Sequence, residues 1–90
     1  MTRDELRAGV LAALHRVAPE VDPATIDSDV ALRDQVDLDS IDFVNFVIEL
    51  DERFGVDVPE RDYPLVATLG GCVDYLERHG AAPRAPRAPR

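Results

Sequence analysis

The stretch Asp37-Leu38-Asp39-Ser40-Ile41-Asp42, continuing from Phe43 to Phe54, decides the fold of this chain. After its acidic opening, apolar residues recur with the spacing i, i+3, i+4, i+7 and i+11, which predicts an amphipathic helix with one core-facing side. That set comprises Phe43, Phe46, Val47, Leu50 and Phe54. A second apolar set lies well round the helix from the first and comprises Ile41, Val44 and Ile48. A helix in a small domain needs only one buried face, so the second set predicts a contact surface.

Ser40 stands at the start of this helix, between acidic residues. With Asp39 as the N-cap, Asp42 is three residues further on, and the two form a capping-box-like pair. The hydroxyl of Ser40 is then not needed for capping and projects into solvent. Because the helix dipole favours negative charge at this end, it would stabilise a phosphate attached to Ser40. The helix is expected to end near Phe54, with Gly55 as the C′ residue.

Composition predicts one small acidic domain, residues 1–80, followed by a tail, residues 81–90. The tail contains Ala-Pro-Arg three times, a repeat that cannot bury surface, so we expect it to be disordered. The chain has 18 acidic and 10 basic residues and a net charge of −8. Seven of the ten arginines and all 18 acids precede residue 81, so that part carries −11. Such a surface repels nucleic acid and anionic membranes and attracts basic protein surfaces.

The remaining composition predicts a soluble, cytoplasmic protein without membrane insertion, and we expect it to be a monomer. No apolar run approaches the length of a membrane span, and the N-terminus is charged from Arg3 onward, unlike a signal peptide. Cys72 is the single cysteine, so an internal disulfide is excluded and a zinc site is not indicated. Its place in an apolar stripe predicts a buried, inert thiol.

Two further helices frame the acidic one, which makes the fold class all-α. Thr2 and Glu5 have capping-box spacing, and apolar residues at helical spacing then predict a helix over about residues 3–17, stopped by Pro19. His15, near its end, is expected to be a surface residue. Thr68 is a good N-cap for the last helix, which Gly80 is expected to end. Its predicted buried stripe is Leu69, Cys72, Val73 and Leu76.

The connections between these helices carry their own signals. A link as long as residues 19–38 is unusual in a compact domain unless its own side chains pin it. The expected pins are Ile26, Val30, Leu32, Val36 and Leu38, and a single helical turn is expected over 29–33. The segment 59–63 predicts one short helix, which Pro64 should end because the residue before proline avoids the α region.

Two chemical readings of the acidic stretch fail on the residues themselves. A calcium-binding EF-hand loop beginning at Asp37 requires Gly at position six and Glu at position twelve, which here are Asp42 and Ile48. A serine nucleophile would need an activating base, but the G-x-S-x-G elbow is absent and the surrounding carboxylates oppose an alkoxide. We therefore predict no metal site and no catalytic residue, and an enzyme is the least favoured class. The plainest alternative is that Ser40 is an ordinary helix-start serine on a solvated acidic face.

Residues on both sides of Ser40 resemble the acyl carrier proteins. Asp39-Ser40-Ile41 is similar to the Asp-Ser-Leu signature of that family. The other matching segments are Leu32-Arg33-Asp34 followed by Leu38, the run from Val47 to Pro59, Ala67-Thr68-Leu69, and Val73-Asp74-Tyr75-Leu76. The likeness covers about residues 3–80, in order and with the family's spacing.

The resemblance implies a four-helix bundle, three main helices plus one short helix, with a long loop between the first two. It implies that Ser40 carries 4′-phosphopantetheine, attached from coenzyme A by a phosphopantetheinyl transferase that holds magnesium. Acyl thioesters on this arm would be presented to acyl-transferring, acyl-activating or synthase enzymes of fatty-acid, polyketide or specialised lipid synthesis. Basic patches on these partners would meet the docking face. The docking residues expected here are Asp39, Ile41, Asp42, Asn45, Ile48, Asp51 and Glu52.

Several positions depart from the pattern of typical fatty-acid carriers. Asn45 stands where those have Glu, and Ile48 where they have Met. The aromatic Phe43 and Phe46 are bulkier than the usual aliphatic residues, and Tyr63-Pro64 is also unlike the common pattern. These departures indicate a specialised stand-alone carrier.

Two alternatives stay open within the same fold. A peptidyl or aminoacyl carrier usually has Gly-Gly before the serine and is less acidic, whereas Leu38-Asp39 precede Ser40 here. The other alternative is a carrier-like adaptor that is never modified.

Overall fold

The computed structural model describes residues 1–81, and in that range the fold is helical. The α-helices are α1 (Arg3–Val17), α2 (Leu32–Gln35), α3 (Ser40–Phe54) and α4 (Leu69–Arg78), and the 3₁₀ helices are Pro23–Thr25 and Glu60–Val66. The pairing between Ala31 and Thr68 is an isolated antiparallel bridge. The predicted all-α class, with three main helices and a short one before the last, is confirmed. The tail predicted to be disordered comprises residues 81–90, and from residue 82 onward it lies outside the described range. Ala81 is described, and it packs against the core with its amide donating to the Leu76 carbonyl over 3.0 Å.

The helix ends follow the capping chemistry read from the sequence. At α1, the Glu5 amide donates to Thr2 Oγ1 over 3.1 Å, and the Thr2 amide donates to Glu5 Oε1 over 3.1 Å. At α4, the Gly71 amide donates to Thr68 Oγ1 over 2.9 Å. Gly55 ends α3 with φ of 70°, a left-handed conformation that costs glycine little. The three main helices therefore begin and end within a residue or two of their predicted bounds.

The core lies where α1 packs against both α3 and α4, with the Glu60–Val66 helix closing the other side of α4. Its fully buried side chains include Phe46, Leu6, Leu14, Leu32, Leu50, Leu69, Leu76, Val10, Val66 and Cys72. The core-facing set predicted for α3 is buried as expected. α4 buries its predicted stripe and also Tyr75, whose hydroxyl donates to Asp62 Oδ2 over 2.8 Å. That bond joins α4 to the Glu60–Val66 helix.

The long connection between α1 and α3 is held in place by hydrogen bonds as well as by buried apolar side chains. Ile26, Leu32, Val36 and Leu38 are buried as predicted. The Gln35 side chain ties the loop to itself. Its Nε2 donates to the carbonyls of Asp27 and Val30 over 2.8 and 3.0 Å, and its Oε1 accepts from the Asp27 amide over 2.9 Å. The loop is also tied to the start of α4, because the Leu32 amide donates to the Ala67 carbonyl over 2.8 Å.

Two expectations for this connection are wrong. Val30 is exposed, at 39% of its reference area, because the polar bonds of Asp27 and Gln35 hold the turn here and its side chain points outward. The single helical turn covers Leu32–Gln35 and not 29–33. Ala31 pairs with Thr68 in the bridge, so the helix starts at Leu32, three residues after the predicted start.

The expectation that Pro64 ends the short helix is also wrong. The helix runs over Glu60–Val66 with Pro64 inside it. The avoidance of the α region by the residue before proline is a bias and not a bar, and in this 3₁₀ segment the chain keeps its helical turn at Tyr63 and continues through Pro64.

Candidate functional site

Ser40 is the first residue of α3, and its side chain is exposed. Asp39 caps the helix in its place. The Asp42 amide donates to Asp39 Oδ1 over 2.8 Å, and the Asp39 amide donates to Asp42 Oδ2 over 3.3 Å. Within residues 1–81, the Ser40 hydroxyl has no hydrogen-bond partner. The prediction that this hydroxyl is spared from capping is confirmed.

The second apolar set of α3 forms an exposed stripe, which we call the Ile41 stripe and define as Ile41, Val44 and Ile48. These side chains retain 72%, 41% and 48% of their reference areas. The stripe begins one residue after Ser40 and continues down the helix away from the core. A run of large exposed apolar side chains on a small domain is typical of a surface that contacts another molecule.

Polar residues expected at the docking face surround the Ile41 stripe. Asp39, Asn45 and Glu52 are exposed, whereas Asp42 and Asp51 are half-buried at the two edges of the exposed face. On a helix with 3.6 residues per turn, Ile41, Asn45, Ile48 and Glu52 follow one another along the side opposite the core. α3 therefore brings the predicted docking residues together beside Ser40, with Asp39 and Asp42 at its first turn.

A feature that the sequence analysis missed is an apolar groove next to the first turn of α3. It has a volume of about 240 Å³. Its lining residues are Ala31, Arg33, Phe43, Tyr63, Pro64 and Ala67. The Phe43 and Tyr63 rings meet edge to face with their centroids 5.3 Å apart. The unusual residues Phe43 and Tyr63-Pro64 were the only sign of this groove in the sequence, because sequence spacing alone does not bring them together in space.

Other reactive groups lie apart from this face. Cys72 is fully buried, its thiol lies 3.3 Å from the Val66 carbonyl oxygen, and burial raises its pKa to about 12. His15 is exposed on α1, as expected. Across residues 1–81, no three His, Cys, Asp or Glu side chains are grouped so that they could bind a metal ion. No helix in that range is both long and apolar enough to span a bilayer.

Comparison with known proteins decides the family. The model of the phosphopantetheine attachment site matches residues 8–76. An acyl carrier protein of Lactobacillus johnsonii is 36% identical over 59 residues, covering 66% of this chain and 74% of that relative. The chain belongs to the acyl carrier protein family. A further acyl carrier protein, from Rubrobacter xylanophilus, is 31% identical over 62 residues, covering 69% of this chain and 76% of the relative.

More distant carriers match over a longer span. The meromycolate extension acyl carrier protein of Mycobacterium leprae is 26% identical over 78 residues, which is 87% of this chain and 67% of the relative. Family membership makes this protein a phosphopantetheine-bearing acyl carrier. The family holds carriers, which present a bound group to other proteins.

The first turn of α3 fits the phosphopantetheine group of this acyl carrier. Attachment needs an accessible hydroxyl, which Ser40 offers, and a setting that tolerates the phosphodiester charge. The amide ends at the start of α3 provide a positive partial charge there. When bound, the group supplies a terminal thiol that holds acyl groups as thioesters. Ser40 and the first turn of α3 would hold the phosphate end of the group. They would leave the rest of the arm pointing away from the core and open to solvent.

Proposed function

We propose that Ser40 is the residue that carries 4′-phosphopantetheine, and that the protein presents acyl groups on this arm to partner enzymes. One observation supports this most strongly. Ser40 is exposed at the first position of α3 with its hydroxyl spared from capping, because the reciprocal bonds of Asp39 and Asp42 take that task. A plain capping serine would show the opposite arrangement, with its own oxygen accepting an amide.

The attachment step is carried out by a phosphopantetheinyl transferase. Ser40 Oγ gives up its proton and bonds to the phosphorus of coenzyme A that carries the pantetheine arm. The pyrophosphate P–O bond breaks, and 3′,5′-ADP leaves with the electrons of that bond. Magnesium for this step belongs to the transferase. The carrier contributes the hydroxyl, its position and the helix start that favours the phosphodiester charge.

The docking face is the Ile41 stripe with its acidic border. Asp39, Asp42, Asp51 and Glu52 would steer the domain onto basic patches of the transferase and of acyl-transferring, acyl-activating or synthase enzymes. Ile41, Asn45 and Ile48 would then make the close contact beside the arm. Because one carrier serves several enzymes, the complexes should be weak and short-lived. We place this carrier function in fatty-acid, polyketide or specialised lipid synthesis in the cytoplasm. Residues 1–80 form the carrier domain.

Intact mass spectrometry tests the attachment. The protein is incubated with coenzyme A, magnesium and a transferase of broad specificity, beside Ser40→Ala and Ser28→Ala. Ser28 is the only other serine in the chain, so it is a matched control. It is half-buried, and its hydroxyl oxygen accepts a hydrogen bond from Arg7 Nη1. We expect one phosphopantetheine on the wild type and on Ser28→Ala, and none on Ser40→Ala. No addition to folded wild type, with a control carrier modified in the same tube, would favour the unmodified adaptor instead.

A further inference from the structure

α1 carries apolar residues on both of its sides. Its buried side comprises Leu6, Val10, Ala13 and Leu14. The opposite side, where a surface helix normally carries polar residues, holds Ala8 and Ala12, with Leu11 beside them. Ala8 is exposed, and Leu11 and Ala12 are half-buried. Because residues three and four apart are neighbours on a helix, these side chains form one continuous outer surface.

This outer surface is the floor of a shallow groove between α1 and the end of α3, which we call the α1 groove. The groove has a volume of about 620 Å³. Its lining residues are Ala8, Leu11, Ala12, His15, Arg16, Pro23 and Arg53. Ala8 and Ala12 lie about one turn apart, and their small side chains allow the backbone of another helix to approach α1 closely. An apolar floor of this kind suits the apolar side of an amphipathic helix.

The α1 groove is cationic although the domain is acidic. Residues 1–80 carry −11, yet none of the described residues that line this groove is an acid. Arg16 and Arg53 are both exposed. Arg16 meets Glu49 only through Nε, over 3.7 Å, which leaves its two terminal nitrogens for another acceptor. Arg53 has no ion pair within residues 1–81. Two guanidinium groups therefore stand ready to bind carboxylates beside the apolar floor.

Carboxylates border the α1 groove on one side. The hollow next to it, towards the start of α1, shares Ala8, Arg16 and Arg53 and adds Glu5, Glu49 and Glu52. The charge of the surface thus changes from positive to negative along α1. A segment that binds here must carry its own carboxylates over the guanidinium groups, at the His15 end of the groove.

We propose that the α1 groove docks an acidic amphipathic helix of a second protein. Apolar side chains of that helix lie on Leu11 and the two alanines, and its carboxylates pair with Arg16 and Arg53. Charge complementarity selects this occupant, because the guanidinium groups repel a basic helix. Nucleic acid and anionic membranes cover a wider area than this groove, and the net charge of the domain repels them.

The α1 groove is separate from the docking face. Arg53 lies twelve residues after Ile41 and hence about 120° round α3 from it. The ion pair between Arg16 and Glu49 also shows that α1 lies on that side of α3. A protein bound in the groove therefore leaves the Ile41 stripe open. The carrier stays attached to one protein through α1 while it presents its arm to another.

Two synthetic helical peptides test the proposal on the full-length protein. Both have leucines along one side, and the residues flanking the leucines are glutamates in one peptide and lysines in the other. Amide NMR shifts are followed while each peptide is titrated separately. We expect the glutamate peptide to shift the signals of Leu11, Ala12 and Arg53, and the lysine peptide to shift those of Ile41 and Ile48. The titration needs no modification of Ser40, so its failure and a failure of the loading experiment are distinguishable.

A double variant with Arg16→Gln and Arg53→Gln tests the charge. It should bind the glutamate peptide more weakly, by up to about fivefold for each exposed ion pair lost, and should be loaded with phosphopantetheine at the wild-type rate. The double variant with Arg61→Gln and Arg78→Gln is the matched control. Its two arginines are exposed and lie outside the groove, and their loss changes the net charge equally.

Four outcomes would overturn the proposal. In the first, the glutamate peptide shifts no signals or only those of the Ile41 stripe. In the second, its affinity survives the loss of Arg16 and Arg53. In the third, loading of that double variant is slower, which would make the α1 groove part of the docking face. In the fourth, vesicles of phosphatidylglycerol and phosphatidylcholine shift the groove signals and the peptide does not, which would assign the guanidinium groups to lipid phosphates.

Discussion

Asp39 is predicted to have two separable roles, as the N-cap of α3 and as a charge of the docking face. Two substitutions separate them. Asp39→Ala removes both the cap and the charge. Asp39→Asn removes the charge but keeps a side-chain oxygen, and asparagine is as good an N-cap as aspartate.

The structure sets the size of the stability effect. Asp39→Ala loses the 2.8 Å bond from the Asp42 amide but keeps the 3.3 Å bond to Asp42 Oδ2, which uses the backbone of residue 39. One lost cap bond at an exposed helix start costs about 1 kcal/mol. For a domain of this size that lowers the melting temperature by about 4–8 °C. Asp39→Asn should lose only the interaction of a charge with the helix dipole, a few tenths of a kcal/mol.

The loading rate should follow charge and not stability. A charge pair about 4 Å apart at a wet interface is worth about 1 kcal/mol, so both variants should be modified about fivefold more slowly at low salt. The difference from wild type should shrink in high salt because screening shortens the range of the interaction. The measurements are thermal melting by circular dichroism and the initial rate of phosphopantetheine transfer. If Asp39→Asn is modified at the wild-type rate at low salt, Asp39 does not belong to the docking face. If Asp39→Asn melts at a temperature as low as that of Asp39→Ala, the capping argument is refuted.

Three further predictions concern the core. Phe46→Ala removes a fully buried ring and should cost about 3–5 kcal/mol, measured by urea unfolding; a cost below 1 kcal/mol would contradict the packing described. The Cys72 thiol should react with a disulfide reagent only when the domain opens, because its pKa is raised to about 12 by burial, and rapid labelling of the folded protein would be inconsistent with this. Burial and the bond to Asp62 raise the pKa of Tyr75 to about 12, against about 10 in the unfolded chain, so its neutral form stabilises the fold below pH 10 and this contribution is lost between about pH 10 and 12. Stability curves against pH should fall less steeply over that window for Tyr75→Phe, and parallel curves would refute the assignment.

The periodic parts of the fold were predictable because each depends on local rules. The bounds of α1 and α3 followed from capping boxes and from the helical spacing of apolar residues such as Phe46 and Leu50. The division of α3 into a buried and an exposed face followed from the same spacing. The exposure of Ser40 followed from the choice of Asp39 as cap. These features need no knowledge of distant contacts.

The irregular parts depended on contacts that spacing does not reveal. Gln35 holds the long loop through its amide, but a polar residue in a loop gives no sign of the carbonyls it will reach. The bridge between Ala31 and Thr68 shifted the short helical turn, and it joins segments far apart in the sequence. The stop expected at Pro64 depends on a bias of the residue before proline against the α region, and that bias does not fix a boundary. The groove needed three separate segments to be placed in space before it could be seen.

The most direct test of the central claim is to locate the modification on the chain after transfer from coenzyme A. Trypsin cleaves after arginine, so Ser28 falls in the peptide 17–33 and Ser40 in the peptide 34–53. Tandem mass spectrometry of the digest reads the site from the fragment ions. We predict the phosphopantetheine on peptide 34–53, on Ser40, with peptide 17–33 unmodified. Modification on any other residue, or two unmodified peptides from protein incubated with an active transferase, would contradict the account.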